Sequence, residues 1–306
     1  MKLKQKHYAL LLASVMCSAV AMAEDAMPAA EAAPAAAEPA VAPAGEPAAA
    51  PEAPEAPEAA AAPEVAGPYS MSRSIEVGGG GHHVSGGNGD WNSAFVAGVW
   101  QTDTANVFDW IVQNDHRFGE SGTSFNGGWN HDINQDWFGR LEFGKSSAGT
   151  FWADKHYGAA INRKWLADRN LVSTFGFAYN DNRQGYSDRV YTIGLIYYFD
   201  GPWVVEGGIH RNLSNPGSVI STQGYGAVTY GRDRWRQIVL SVNSGSEGYM
   251  PVGNSASQQV FDSQYYSLGW KEWIGPHWGV HATVDYYHGT YYQRSGGSAS
   301  VFWDLP

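Results

Sequence analysis

The chain has 306 residues and a net charge of −11, a balance that gives no support to a nucleic-acid-binding surface. Aromatic residues make up 14 % of the sequence, with 13 Trp and 17 Tyr, whereas there is a single cysteine, Cys17. No stretch beyond the N-terminal region reaches the ~18 unbroken apolar residues of a spanning helix, which excludes the helical class of membrane protein.

The N-terminus has the pattern of an export signal. Three lysines within residues 2–6 precede an apolar run over 8–20, and Ala21-Met22-Ala23 provides a small-x-small cleavage site. We therefore predict a cleaved signal peptide over 1–23. Cleavage there removes Cys17, so the mature chain would form no disulfide in an oxidising compartment.

Residues 24–67 form a low-complexity segment rich in Ala, Pro and Glu. The segment contains nine acidic residues and no Lys or Arg, and 51–59 repeats Pro-Glu-Ala with a period of three. Proline at this frequency removes backbone donors and disfavours helix, so we predict a disordered, extended periplasmic linker. The linker is either a plain spacer or a tether to peptidoglycan or a periplasmic protein.

Four short breaks in the remaining chain are each followed by a tryptophan and a new apolar–polar alternation. These tryptophans are Trp137, Trp203, Trp235 and Trp278. A transmembrane β-barrel repeats this order along its sequence: a short turn, an aromatic residue, a strand, a longer loop and another strand. We predict an all-β, antiparallel, up-and-down transmembrane β-barrel over 68–306, with about 14 strands and a range of 12–16. The four tryptophans would form an aromatic girdle at the periplasmic rim.

The pattern assigns approximate bounds to strands and connections. The predicted strands are 69–78, 91–101, 107–118, 124–133, 137–146, 155–166, 171–180, 188–199, 203–212, 222–231, 235–244, 258–273, 278–288 and 293–303. The predicted periplasmic turns are 102–106, 134–136, 167–170, 200–202, 232–234 and 274–277. The predicted outer loops are longer and comprise 79–90, 119–123, 147–154, 181–186, 214–221, 245–258 and 289–292. An even count permits closure, which is needed because an open strand edge cannot face lipid.

Alternation separates lipid-facing from inward-facing side chains. In 137–145, Leu141 and Phe143 share one parity, while Arg140 and Glu142 share the other. Because a cation on the lipid face near the midplane costs ~2–4 kcal/mol, we expect the charges inside. The predicted lumen-lining residues are Asp109, Arg117, Arg140, Glu142, Glu206, His210, His281 and Asp285, with Asp115 and Lys164 of the same kind. Such a set of mixed sign could line a channel, bind a polar polymer or simply fill the interior with salt bridges.

Several segments of the C-terminal half resemble a known family. YGAVTY at 225–230, RDRW at 232–235 and SVNSGSEGY at 241–249 resemble the YaiO family of outer-membrane β-barrels, and 266–270 and 281–287 are similar too. The resemblance covers roughly 69–304. It implies an outer-membrane barrel in the structural neighbourhood of exopolysaccharide-export pores, and it implies no reaction and no catalytic residues. The linker and the non-aromatic C-terminus, 304–306, depart from the family pattern.

Three functions stay open at this point. The chain could be a passive channel or secretion pore for polysaccharide or other polar solutes, or a structural or receptor barrel. It could also be an outer-membrane hydrolase or lipid-modifying enzyme with His210, His281 or His288 as base, although no Ser-His-acid spacing is recognisable. His82 and His83 lack a spaced third ligand, and we expect them in a mobile loop. We predict no catalytic residue, cofactor or metal site. The expected partners are outer-membrane lipid, lipopolysaccharide and the barrel assembly machinery.

Overall fold

The computed structural model describes residues 72–147, 151–249 and 259–306. The predicted signal peptide and linker therefore lie outside the described residues. The strands are β1 (Arg73–Val84), β2 (Trp91–Gln101), β3 (Asn106–Arg117), β4 (Glu120–Asp132), β5 (Trp137–Ser146), β6 (Lys155–Trp165), β7 (Leu171–Asp181), β8 (Ser187–Tyr198), β9 (Trp203–Asn215), β10 (Val219–Gly231), β11 (Arg236–Tyr249), β12 (Gln259–Gly275), β13 (Trp278–Gly289) and β14 (Gln293–Asp304). A short 3-10 helix, Arg183–Gly185, lies between β7 and β8.

The fourteen strands close into one barrel. Each strand pairs antiparallel with its sequence neighbours, and β1 pairs with β14 through a register that places Val77 opposite Val301. Closure gives every strand two partners, so the backbone donors and acceptors are satisfied within the sheet, as a lipid environment requires. The predicted 14-stranded up-and-down barrel is confirmed.

The barrel has two distinct ends. The turn end carries 102–105, 133–136, 166–170, 199–202, 232–235 and 276–277, together with the start of β1 and the end of β14. Here the Leu305 amide donates to the Arg73 carbonyl at 2.8 Å. In the turn after β2, Asp103 accepts hydrogen bonds from the Asn106 side chain and from the Ala105 amide, and these bonds lower the pKa of its carboxyl group.

The opposite, loop end is more compact than the sequence predicted. β1 continues to Val84, so the glycine run 78–81 and His82 and His83 belong to a strand and not to a mobile loop. The predicted loop 119–123 is also wrong, because β3 and β4 meet in a two-residue turn at Phe118 and Gly119, both with positive φ. Two left-handed residues twist a hairpin in the same sense as its strands, so the strands continue up to the turn.

The outer surface is an apolar band. Leu141, Ile193 and Val284 each expose more than half of their surface, and each alternates with inward neighbours that are buried or half-buried. Exposure of large aliphatic side chains around a sheet is typical of a surface in contact with lipid. Among the described residues, no helix is long and apolar enough to cross a membrane.

Candidate functional site: the barrel interior

One wall of the interior holds a connected charge network centred on Arg140. Its guanidinium donates to Asp109 at 2.7 and 2.9 Å and to Glu142 at 2.6 Å. Glu142 also lies 3.5 Å from the imidazole of His156. Arg140 and Asp109 are almost fully buried, so their charges compensate each other at close range, as buried ions must.

Glycine makes room for this network. Arg140 is on β5 and Asp109 on β3, so the guanidinium has to cross β4. It crosses above Gly128, where a Cβ atom would lie 2.3 Å from the Arg140 Nη2. Gly158 likewise leaves space for the Glu142 carboxylate, which lies 2.6 Å from the position of a Cβ atom. The network therefore depends on glycines of the neighbouring strands β4 and β6 as well as on its charged members.

A second set of charged contacts lies on another part of the wall, around β13, β14 and β1. His281 Nδ1 lies 3.0 Å from Glu76 Oε1, which also accepts a hydrogen bond from Ser300 at 2.5 Å. Towards the loop end, Asp285 contacts His82 at 2.8 Å and Arg294 at 3.3 Å.

Glu247 forms a third inward cluster, which sequence reasoning missed. Its carboxylate accepts hydrogen bonds from Tyr287 at 3.1 Å, from Gln223 at 2.8 Å and from Ser263. These groups come from β10, β11, β12 and β13. Alternation from the strand 235–244 would have found Glu247 had the strand been extended to its observed end at Tyr249.

An aromatic cluster narrows the interior near the loop end. It comprises Val84, Trp91, Phe261, Tyr287 and Tyr292. Trp91 is 2 % exposed and lies between two cations, with Arg117 Cζ at 4.9 Å and Arg294 Cζ at 5.1 Å from the ring centroid. Cation–π contacts of this kind gain strength when desolvated, so they hold the indole in the interior.

A second apolar cluster lies towards the turn end on the other wall. Phe138, Val172, Ile196 and Tyr198 pack together on β5, β7 and β8. Lys164 Nζ lies 5.1 Å from the Phe138 ring centroid and 3.2 Å from Asp132. The two clusters thus occupy opposite walls at opposite ends, and polar groups line the interior between them.

Exposure separates the polar interior groups into two kinds. Some are packed, as with the Asp109 side chain at 5 % exposed and that of Arg294 at 3 %. Others face open space within the barrel, with 34 % of the His281, 28 % of the His156 and 24 % of the Glu142 side chain exposed. A barrel of this size has an interior that polar side chains and water share, and these three groups mark its accessible part.

The structure places every predicted lumen residue on the inward parity, but it joins them into separate groups. Arg117 approaches Asp115 at 3.4 Å. Glu206 and His210 lie on β9, where His210 contacts Thr192 at 2.8 Å and stacks on Tyr225 with centroids 4.5 Å apart. His288 is exposed and shares the outward parity of Val284, so the three histidines considered as bases do not converge on one site.

The four predicted girdle tryptophans all lie at the turn end. Trp137, Trp203 and Trp278 begin β5, β9 and β13, and Trp235 precedes β11. Trp203 and Trp278 are exposed, and Trp203 packs against Tyr230 with centroids 4.7 Å apart. Their role as a membrane girdle stays a prediction that this placement supports.

A family model described as the YaiO membrane beta barrel domain matches residues 72–250. No curated protein matches the chain closely enough in sequence to count as a relative. Several solved structures are similar to the chain at low sequence identity. The CymD monoaromatic hydrocarbon channel has 8 % identity and a TM-score of 0.51, with 78 % of this chain and 89 % of that chain covered. The translocator domain of the autotransporter NalP from Neisseria meningitidis has 10 % identity, a TM-score of 0.44 and coverage of 78 % and 90 %. A bacterial polysaccharide outer membrane secretin has 8 % identity, a TM-score of 0.47 and coverage of 77 % and 99 %.

Proposed function

Because the chain belongs to the YaiO membrane beta barrel domain family, we propose that it acts as a passive channel or secretion pore for polysaccharide or other polar solutes. Its place would be the outer membrane of a Gram-negative envelope, reached through a signal peptide cleaved after residue 23. The turn end would face the periplasm, as short turns and chain termini do in bacterial barrels. The linker 24–67 would then extend into the periplasm.

The observation that carries the proposal is the polar, partly open interior. His281, His156 and Glu142 line accessible space, and each lies within 3.5 Å of a side chain with which it can form an ion pair or hydrogen bond. A lining that holds acidic, basic and imidazole groups offers hydrogen-bond donors and acceptors to hydroxyl-rich solutes. That lining suits uncharged or weakly charged polar cargo, and the proposed activity is transport without catalysis.

The two apolar clusters would narrow the pore at two levels, on opposite walls. Trp91 and its neighbours cover one wall near the loop end, and Phe138 and its neighbours cover the other wall near the turn end. A solute would pass the first on the β5–β9 side and the second on the β12–β2 side. Aromatic faces in the first cluster could also stack on the apolar faces of sugar rings.

Planar-bilayer conductance tests the proposal. We expect the full mature chain to give discrete conductance steps in a neutral salt. Neutral dextran added on one side should block the current reversibly if a polysaccharide enters the lumen. A folded barrel that conducts no current even at high voltage would refute the pore, and an unblocked pore would limit the cargo to small solutes.

A further inference from the structure

Four cations lie on the outward face of strands β5, β6, β8 and β9 near the loop end. Lys145 is on β5, Lys155 on β6, Arg189 on β8 and Arg211 on β9. Each is two residues from an exposed apolar residue of the same strand, namely Phe143, Tyr157, Tyr191 and Ile209. Their parity therefore directs them to the membrane side of the sheet and away from the lumen.

Unlike the inward cations, these four have few acidic side chains close enough to compensate their charge. Within the part of the chain that the structure describes, Lys145, Arg189 and Arg211 form no ion pair and no side-chain hydrogen bond, while Lys155 approaches Asp181 at 3.8 Å. Lys145 and Lys155 are also register partners. Like charges directly opposite each other destabilise a strand pair, unless an anion between them reverses the interaction.

Aromatic residues show at what depth the cations lie. Phe143 packs on Tyr157 with centroids 5.7 Å apart, and Phe177 on Tyr191 at 5.3 Å. Arg211 is the register partner of Tyr191. Outward aromatic rings at the end of an apolar band mark the membrane interface, so cations beside and beyond them lie at headgroup depth, where an outward charge costs little.

The geometry points to a binding site for the phosphate groups of lipopolysaccharide on the outward face of β5–β9. Guanidinium and ammonium groups form charge-assisted hydrogen bonds with phosphate, and five strands about 4.8 Å apart span roughly 20 Å, enough for a headgroup with two phosphates. On a different part of the outer surface, β12 carries an outward negative charge, Asp262, and not a cation. The assignment rests on the proposed outer-membrane location but concerns the lipid side of the barrel and not the lumen.

Native mass spectrometry of the folded mature chain tests the site, with hexa-acylated lipid A carrying two phosphates as the probe. We expect wild type to retain this lipid at least about tenfold more tightly than dephosphorylated lipid A or phosphatidylglycerol. The triple variant Lys145→Gln, Arg189→Gln and Arg211→Gln should lose that preference. The matched control is Arg163→Gln, because Arg163 is an outward arginine of β6 at the turn end, with its Cζ 3.7 Å from the Trp165 centroid.

Either of two results would overturn the site: wild type binding phosphatidylglycerol as tightly as lipid A, or the triple variant binding lipid A like wild type. An equal loss in Arg163→Gln would also count against it, since the effect would then be unspecific. If the triple variant fails to fold, Arg211→Gln alone and the wild-type lipid comparison decide. A barrel that binds lipid A without conducting would refute the pore and leave the lipid site intact.

Discussion

Arg140 and Asp109 form a two-pronged ion pair, Nη1 to Oδ2 at 2.7 Å and Nη2 to Oδ1 at 2.9 Å, across a strand to which neither belongs. The strand between them, β4, presents Gly128 at the crossing point. A side chain there would occupy the space that the guanidinium now fills. One glycine thus decides whether two charges 31 residues apart in sequence can meet.

Gly128→Ala is therefore expected to break the pair without blocking barrel closure, because the arginine can swing away while Asp109 stays buried. The free energy of unfolding should fall by roughly 1–3 kcal/mol, measured by urea titration of the folded barrel in micelles. Gly269→Ala is the control, since its Cβ atom would have no neighbour closer than 3.8 Å. Equal stability of both variants would show that the pair contributes nothing.

A double-mutant cycle on the same pair should be strongly non-additive. Arg140→Gln leaves Asp109 as a buried, uncompensated charge and is expected to cost about 3–5 kcal/mol. Adding Asp109→Asn removes that charge and should recover part of the loss. The measurement is the unfolding free energy of the four proteins, and additive effects would contradict direct coupling of the two residues.

Trp91→Ala is expected to widen the loop-end constriction and raise the single-channel conductance. The indole is buried between Arg117 and Arg294, and its removal leaves their charges facing the lumen. Since truncating a buried tryptophan costs about 3–5 kcal/mol, the folded fraction has to be checked by heat-dependent electrophoretic mobility. Trp278→Ala, on the outward face, should leave the conductance unchanged. An equal rise in conductance in Trp278→Ala would show that the rise does not come from widening the constriction.

Deletion of residues 26–66 should leave barrel assembly unchanged, because strand pairing from β1 to β14 involves no residue before 73. The expected loss is association with peptidoglycan or with a periplasmic partner, measured by co-sedimentation of cell envelopes. A Gly/Ser segment of equal length serves as control for spacing. Failure of the deleted chain to assemble would mean that the segment is more than a tether.

The sequence alone was sufficient for the strand count and for the direction of most charges. A β-strand alternates with a period of two, so Arg140 opposite Leu141 or His281 opposite Val280 can be assigned from their immediate neighbours. The same local reasoning gives no direction for Trp91, because β2 is apolar on both parities, with Val96 on one face and Ala97 on the other. The inward direction of the Trp91 side chain depends on its packing against residues of other strands near the loop end.

Local sequence patterns also misplaced the strand ends at the loop end of the barrel. Glycine and serine around 119–123 read as a loop, but positive φ at Phe118 and Gly119 folds a two-residue turn and returns 120–123 to the sheet. The glycine run before His82 read as a loop for the same reason. There the pairing of β1 with both β2 and β14 outweighs the low strand propensity of glycine.

The barrel, its lipid-facing parity and the set of charges that point inward can all be read from local alternation in the sequence. Which of those charges meet depends on the closed, three-dimensional barrel. Glu76 and His281 are 205 positions apart, and they approach because closure of β1 on β14 brings the two ends of the chain together. Contacts of this kind depend on register around the whole ring and on the small residues crossed on the way, and neither is encoded in any local stretch of the chain.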